Sequence, residues 1–293
     1  MALKQRRVRF LRQRSMGDVV GQRSGRLRPV LPHRILLPMA AQAFAGKVAL
    51  VTGGSRGIGR ACVLKLAELG ADVVINYSRS AEDADATARE AEKHGVRAIA
   101  VQADMGDREA ILGLFERVRE EFGRLDVLVN SAARGLERPR GAVDSLPRHL
   151  KHTMDVNLFG PWFCAQEAVT LMAEGSSIVN LLSPGAQRYL PRYAPVGISK
   201  GALASLTTYL AVELAPRGIR VNGVAAGLVE SSEGVRMMPE ELLERYRQVV
   251  PAGRMVKPEE VADAVAFLCS DAAAMIVGHV LLVDGGYSLL GLT

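Results

Sequence analysis

The chain has 293 residues, 48% hydrophobic and 23% charged, which is enough apolar material for a sizeable core. Its formal charge of +6 is uneven: residues 1–38 hold ten Lys or Arg against one acid, Asp18, whereas residues 39–293 hold 27 against 30 and are net −3. A mildly acidic body argues against nucleic-acid binding. With no uninterrupted apolar run of about 18 residues, no membrane span is expected.

The Arg-rich tail admits three readings: a disordered arm, a transit peptide, or an upstream extension of a frame that starts naturally at Met39. No apolar segment follows the basic residues, so a secretory signal is not expected. Residues 1–43 are read as this basic, disordered extension and 44–293 as one domain.

Val48-Ala49-Leu50-Val51 is a short apolar run of the kind buried on both faces of a parallel sheet. A helical pattern follows from about 58 to 69 and stops at Gly70. Val73–Tyr77 reads as a second strand, 81–94 as a helix closed by Gly95, and Ala98–Val101 as a third strand. Asp107 can cap a helix over 108–122 that Gly123 ends, and Asp126–Asn130 is a fourth strand. One long helix is expected from about 148 to 173, then a strand at Ser177–Leu182. The longest helix is expected over 196–215, followed by strands at Arg220–Val224 and His279–Val283 with a helix from Pro258 to Ser270 between them. The stretch 228–248, with Met237, Met238, Leu242, Leu243 and Tyr246, reads as a helical lid over an apolar pocket or as plain core. Repeated βα units predict a single Rossmann-type α/β domain: a doubly wound, parallel, seven-stranded sheet with helices on both faces. Ligands of such sheets bind at the C-terminal ends of the strands.

Cys62, Cys164 and Cys269 lie far apart in apolar helical patterns, as buried free thiols do, and no metal-ligand spacing appears. A reducing, cytoplasmic compartment is the matching expectation.

Thr52-Gly53-Gly54-Ser55-Arg56-Gly57-Ile58-Gly59 joins the first strand to the first helix. Gly53 permits the tight turn, Gly57 admits a pyrophosphate to the backbone, and Gly59 allows close helix–strand packing. Ser55, Arg56 and Ile58 lie in the same loop, at the N-terminus of a helix whose free N–H groups attract phosphate. The second strand ends Asn76-Tyr77-Ser78-Arg79, without the acid that binds an NAD ribose. Arg79, joined by Arg56, is instead available for a 2′-phosphate, so NADPH is the expected cofactor. Asp104, after the third strand, is a candidate partner for the adenine amino group.

With the glycine loop in place, residues 45–290 resemble the short-chain dehydrogenase/reductase family. Asn130-Ser131-Ala132-Ala133 looks like its segment after the fourth strand, which implies a cofactor-binding Asn130. Asn157 matches a structural asparagine, Ser183 falls where the catalytic serine sits, and Val283-Asp284-Gly285-Gly286 resembles the last strand ending. One departure stands out. The usual signature is Tyr-x-x-x-Lys, yet four residues before Lys200 stands Val196, and the nearest tyrosine is Tyr193. Steps of four and seven residues both return to about the same helix face, but their rises differ, about 6 Å against about 10.5 Å. Pro195 favours a helix start, so Tyr193 need not follow helical rise.

Tyr-x6-Lys resembles the enoyl-acyl-carrier-protein reductases, and Tyr189 with the run Tyr193–Lys200 looks most like their NADPH-dependent type III. That resemblance implies conjugate reduction of an enoyl thioester, from coenzyme A or an acyl carrier protein, in fatty acid synthesis. It implies Tyr193 as the donor to the thioester oxygen and Lys200 holding the nicotinamide ribose and lowering the phenol's pKa. Tyr189 would line the pocket, Ser183 would assist, and the assembly would be a homotetramer. Arg236, Arg245 and Arg247 are read as solvated helix charges before contacts for an acidic carrier. Two other functions compete: a reductase acting on a 3-ketoacyl or specialised-metabolite substrate, and a non-catalytic NADPH-binding regulator.

Overall fold

The computed structural model describes residues 42–135, 140–230 and 232–290; residues 1–41, and with them every reading of the basic tail, lie outside the described residues. Seven strands form one parallel sheet: β1 (Val48–Thr52), β2 (Asp72–Tyr77), β3 (Ala98–Gln102), β4 (Val127–Asn130), β5 (Ser177–Leu182), β6 (Arg220–Ala226) and β7 (Val280–Val283). Their order is β3-β2-β1-β4-β5-β6-β7, the Rossmann-type winding expected from the sequence. The central strands β1, β4, β5 and β6 are buried at every residue, because helices cover both sheet faces.

The helices are α1 (Gly57–Glu68), α2 (Ala81–Glu92), α3 (Arg108–Phe122), α4 (Pro147–Met154), α5 (Gly160–Ala168), α6 (Ala194–Leu214), α7 (Glu233–Arg236), α8 (Glu240–Val249) and α9 (Pro258–Cys269). On one face α1, α2 and α9 close a core around Leu66, Ile75 and Val265. On the other, α3, α5 and α6 close one around Leu50, Phe115 and Ile178. Phe44 is fully buried and its N–H donates to Leu69 O at 2.8 Å, so the folded body is already in place at that point of the chain. The α3 boundaries follow their predicted signals: Asp107 accepts from Glu109 N at 3.0 Å, and Gly123 ends the helix at φ 68°.

Two expectations are corrected. The helix foreseen over 148–173 is α4, a π-helical turn at Asp155–Phe159, and α5, which ends at Ala168. The wide turn lets Gly160 reach Met105, where a Cβ would stand 2.5 Å from the carbonyl oxygen. The helix foreseen within 228–248 is two pieces, α7 and α8, because Pro239 caps the second. Leu243 and Tyr246 are core residues there, whereas Met237 and Leu242 are exposed.

Strands β1 and β4 are neighbours although β2 and β3 intervene in sequence, so the connections diverge between them and open a crevice at their C-terminal ends. Thr52, Asn130 and Asn180 stand abreast at that edge.

Candidate active site

The glycine loop is held from three sides. Thr52 Oγ1 accepts from the N–H of Ser131 at 3.0 Å and of Ala132 at 3.1 Å. Asn76 Oδ1 accepts from Gly53 N at 3.2 Å while its Nδ2 donates to Ala103 O at 3.0 Å. Thr87 Oγ1 donates to Ser55 O at 3.2 Å. Gly53 is left-handed, with a Cβ there falling 2.9 Å from Ala132 Cα, and a Cβ on Gly59 would fall 2.2 Å from Gly53 O. Gly57 differs: at φ 54° it faces open space within 4 Å. Ile58 packs onto the core beneath.

The N-cap of α1, Arg56, makes no side-chain cap bond, and the first turn holds no acid. Free N–H groups and the positive helix end therefore face the space over Gly57, an arrangement that fits a pyrophosphate. Arg79 stands exposed just beyond β2, and Arg56 is exposed with its guanidinium 3.7 Å from Asp83. Asp104 is exposed and its Oδ1 accepts from Gly106 N at 2.9 Å, which leaves its other oxygen for a ligand.

Asn130 lies inside the sheet. Its side chain is buried between β4 and β5, where Nδ2 donates to Asn180 Oδ1 at 2.8 Å. Asn180 Nδ2 donates in turn to Thr207 Oγ1 at 2.9 Å on α6. This chain of amides ties sheet to helix, and the buried Asn130 Oδ1 has no hydrogen-bond partner.

On the other side of the crevice, β5 runs into Ser183 and a tight turn at Pro184–Ala186, with Ser183 Oγ accepting from Gly185 N at 3.2 Å. Tyr193 is the N-cap of α6, which starts two residues earlier than expected, with Pro195 in the first turn. Tyr193 is half-buried and its phenol faces the Ser183 side chain. Lys200, 5% exposed, donates from Nζ to Leu181 O at 2.6 Å. The structure thus gathers Ser183, Tyr193 and Lys200 around the end of β5. Val196 points into the protein, 3% exposed, with its side chain against Gly135. Tyr189 is not brought to the site: it is 86% exposed, because it lies on the outward side of the loop between the turn and α6.

Burial raises the pKa of Tyr193, and the Ser183 hydrogen bond offsets part of that rise. The expectation that Lys200 lowers it is therefore corrected: desolvation dominates, and the phenol stays protonated at neutral pH. Burial lowers Lys200 to about 8. The same cause raises all three thiols, Cys164 to about 12 and Cys269 to about 11, so none is a thiolate nucleophile. Among the described residues no group of His, Cys, Asp or Glu could hold a metal ion.

Asn157, expected only to be structural, does more. In the π-helical turn its Oδ1 accepts from Arg134 N at 2.8 Å and its Nδ2 donates to Arg134 O and to Ser199 Oγ, both at 3.0 Å. It clamps the loop after β4 onto α6, one residue from Lys200. No sequence periodicity announces a π turn, which clusters at functional sites.

Comparisons agree with this geometry. The family described as enoyl-(acyl carrier protein) reductase matches residues 53–288. The chain is 42% identical over 251 residues to a 1-cyclohexenylcarbonyl-CoA reductase of Streptomyces collinus, covering 83% of this chain and 88% of that protein. It is 37% identical over 247 residues to a 3-oxoacyl-[acyl-carrier-protein] reductase of Synechocystis sp., covering 83% and 98%. A short-chain dehydrogenase from Burkholderia cenocepacia, solved in complex with NADP, superimposes with a TM-score of 0.78 at 37% identity, covering 83% and 98%.

Proposed function

The chain belongs to the short-chain dehydrogenase/reductase superfamily and is an oxidoreductase, and from that premise we propose that it reduces the 2,3 double bond of an enoyl thioester with NADPH. One observation carries the reading: the phenol that faces Ser183 is Tyr193, seven positions before Lys200, while Val196 fills the place four before it. The name of the Streptomyces relative supports it, since a 1-cyclohexenylcarbonyl thioester has its double bond conjugated to the carbonyl.

NADPH, when bound, supplies a hydride to the substrate β-carbon. The chain's own groups manage the charge that this moves onto the thioester oxygen. Tyr193, protonated and half-buried, gives a hydrogen bond to that oxygen, where a preorganised donor contributes most, and a solvent proton taken up at the α-carbon completes the reduction. Ser183 stands beside the phenol, its Oγ fixed by the N–H of Gly185. An ammonium has three donors; Lys200 uses one on Leu181 O and keeps two for the nicotinamide ribose. Its charge stands behind the developing enolate. Arg79 and Arg56 recognise the 2′-phosphate, and the α1 N-terminus receives the pyrophosphate.

The Synechocystis relative favours a second reading, reduction of a 3-oxoacyl thioester by the same three side chains. A crotonyl thioester assay with the wild type and Tyr193→Phe tests the first. We expect NADPH oxidation by the wild type and a fall of roughly 10²- to 10³-fold in kcat for the variant; full turnover by the variant would remove Tyr193 from the chemistry. An acyl carrier protein or coenzyme A would present the acyl group. We also propose a cytoplasmic homotetramer. Exposed apolar residues on α5 and α6, Trp162 at 41%, Tyr209 at 66% and Val212 at 70%, support a subunit interface. No helix among the described residues is long and apolar enough to cross a membrane.

A further inference from the structure

Tyr193 rests on a missing side chain. A Cβ built on Gly185 would stand 2.7 Å from both Cδ1 and Cε1 of the Tyr193 ring and 3.1 Å from Leu190 Cδ1. One edge of the phenol therefore lies directly over the Gly185 α-carbon. The reason is space and not backbone freedom, because Gly185 is not among the residues with positive φ.

The helix approaches the same turn from below. A Cβ on Gly197 would come within 2.8 Å of Gly185 O, and one on Gly201 within 3.3 Å of Ala186 O. Gly197 and Gly201 are four apart, so they share a face of α6 and leave a smooth strip on which the backbone of the turn lies. The turn is pinned above by Ala186 N donating to Ser183 O at 3.0 Å. Gly197 N also donates to Tyr193 O at 2.7 Å, which fixes the tyrosine backbone at the helix start. The ring is thus clasped between the helix N-terminus and a turn that carries no Cβ at the point of contact.

This clasp answers the geometric difficulty of the seven-residue spacing. Helical rise alone would carry a tyrosine seven positions before Lys200 about 4.5 Å farther along the axis than one four before it. Folding the ring back over Gly185 returns the hydroxyl to Ser183, beside the end of β5 where Lys200 donates to Leu181 O.

We propose that Gly185 is the positioning residue of Tyr193: its bare α-carbon is what allows a tyrosine at this spacing to place its hydroxyl on Ser183 and the reacting oxygen. The inference rests on the reading of Tyr193 as the proton donor. Gly185→Ala forces the ring to shift by about 1 Å to regain van der Waals distance, a misplacement worth about 10²-fold in rate.

The test is a double-mutant cycle measured by NADPH oxidation with a crotonyl thioester, in wild type, Gly185→Ala, Tyr193→Phe and the double variant. Fluorescence titration with NADPH reports the integrity of the fold. We expect Gly185→Ala to lower kcat about 10²-fold with the NADPH Kd within about twofold, and to lower the residual rate of Tyr193→Phe by less than about threefold, since residues acting as a unit are non-additive. Gly197→Ala, which pushes on Gly185 O from the helix side, should repeat the pattern and serves if Gly185→Ala fails to bind NADPH. Equal losses in the wild type and Tyr193→Phe backgrounds, or unchanged kcat in both glycine variants, would overturn the proposal. If the protein reduces only 3-oxoacyl thioesters, the enoyl reading fails while the same cycle, run on that substrate, still decides the role of Gly185.

Discussion

Replacing Lys200 by methionine should abolish turnover and stabilise the protein. Burial lowers the Lys200 pKa from 10.5 to about 8, so the folded state holds the charged form less well than water does. At 1.36 kcal/mol for each pKa unit, the charged lysine costs about 3 kcal/mol of stability. Methionine removes that charge at similar volume, but it leaves Leu181 O without the Lys200 donor, a loss of about 1 kcal/mol. The net gain at pH 7 is therefore about 2 kcal/mol, or a rise of roughly 4–8 °C in Tm for a domain of this size. The sign of the pH dependence follows from the depressed pKa. The cost is complete below pH 8, shrinks as Lys200 deprotonates in the folded state, and vanishes near pH 10.5, where the unfolded lysine also loses its proton. Thermal or urea unfolding of both proteins from pH 6 to 10 measures this. A variant that is less stable than the wild type, or a difference that does not change across the range, would refute the reasoning. The enzyme then carries its lysine against its own stability, as functional charges often are carried.

The cofactor preference depends on exposed arginine. Arg79→Glu should raise the KM for NADPH roughly 10- to 100-fold, the worth of a charge-assisted bond, and leave that for NADH unchanged or lower; equal effects on both coenzymes would show that Arg79 does not read the phosphate. Arg192, immediately before Tyr193, sits at φ 58°, a conformation that L side chains adopt at a cost of about 1–2 kcal/mol. Arg192→Gly should keep turnover within about twofold and gain about 1 kcal/mol, whereas Arg192→Val should lose both; activity that is equal in the two variants would separate this turn from the placement of Tyr193.

Strand positions, the glycine loop and the absence of acid after Tyr77 were legible in the sequence because each is a local pattern, a buried apolar run or a stop signal. So was the substitution of Val196 for tyrosine, which pointed to Tyr193 and Lys200. What escaped depends on contacts between distant segments. The π-helical turn that aims Asn157 at Arg134 and Ser199 has no periodicity of its own and breaks a pattern that looked continuous from 148 to 173. Gly185 carries no local signal, since only the folded ring of Tyr193 shows what occupies the space. The bond from Asn130 to Asn180, fifty residues on in the next strand, has no local signal either. Tyr189 shared the spacing of a functional residue but not the burial. Pairwise effects such as the pKa of Tyr193 were also misjudged, because a neighbouring charge can be inferred from spacing whereas desolvation cannot.

The central claim is that Tyr193, Ser183 and Lys200 direct hydride to an enoyl β-carbon. The most direct measurement is the ratio of kcat/KM with NADPH for a trans-2-enoyl thioester and the 3-oxoacyl thioester of the same chain length on the same carrier. The enoyl substrate should be preferred by at least about tenfold, some 1.4 kcal/mol in transition-state binding. A preference for the 3-oxoacyl substrate by that margin would contradict it.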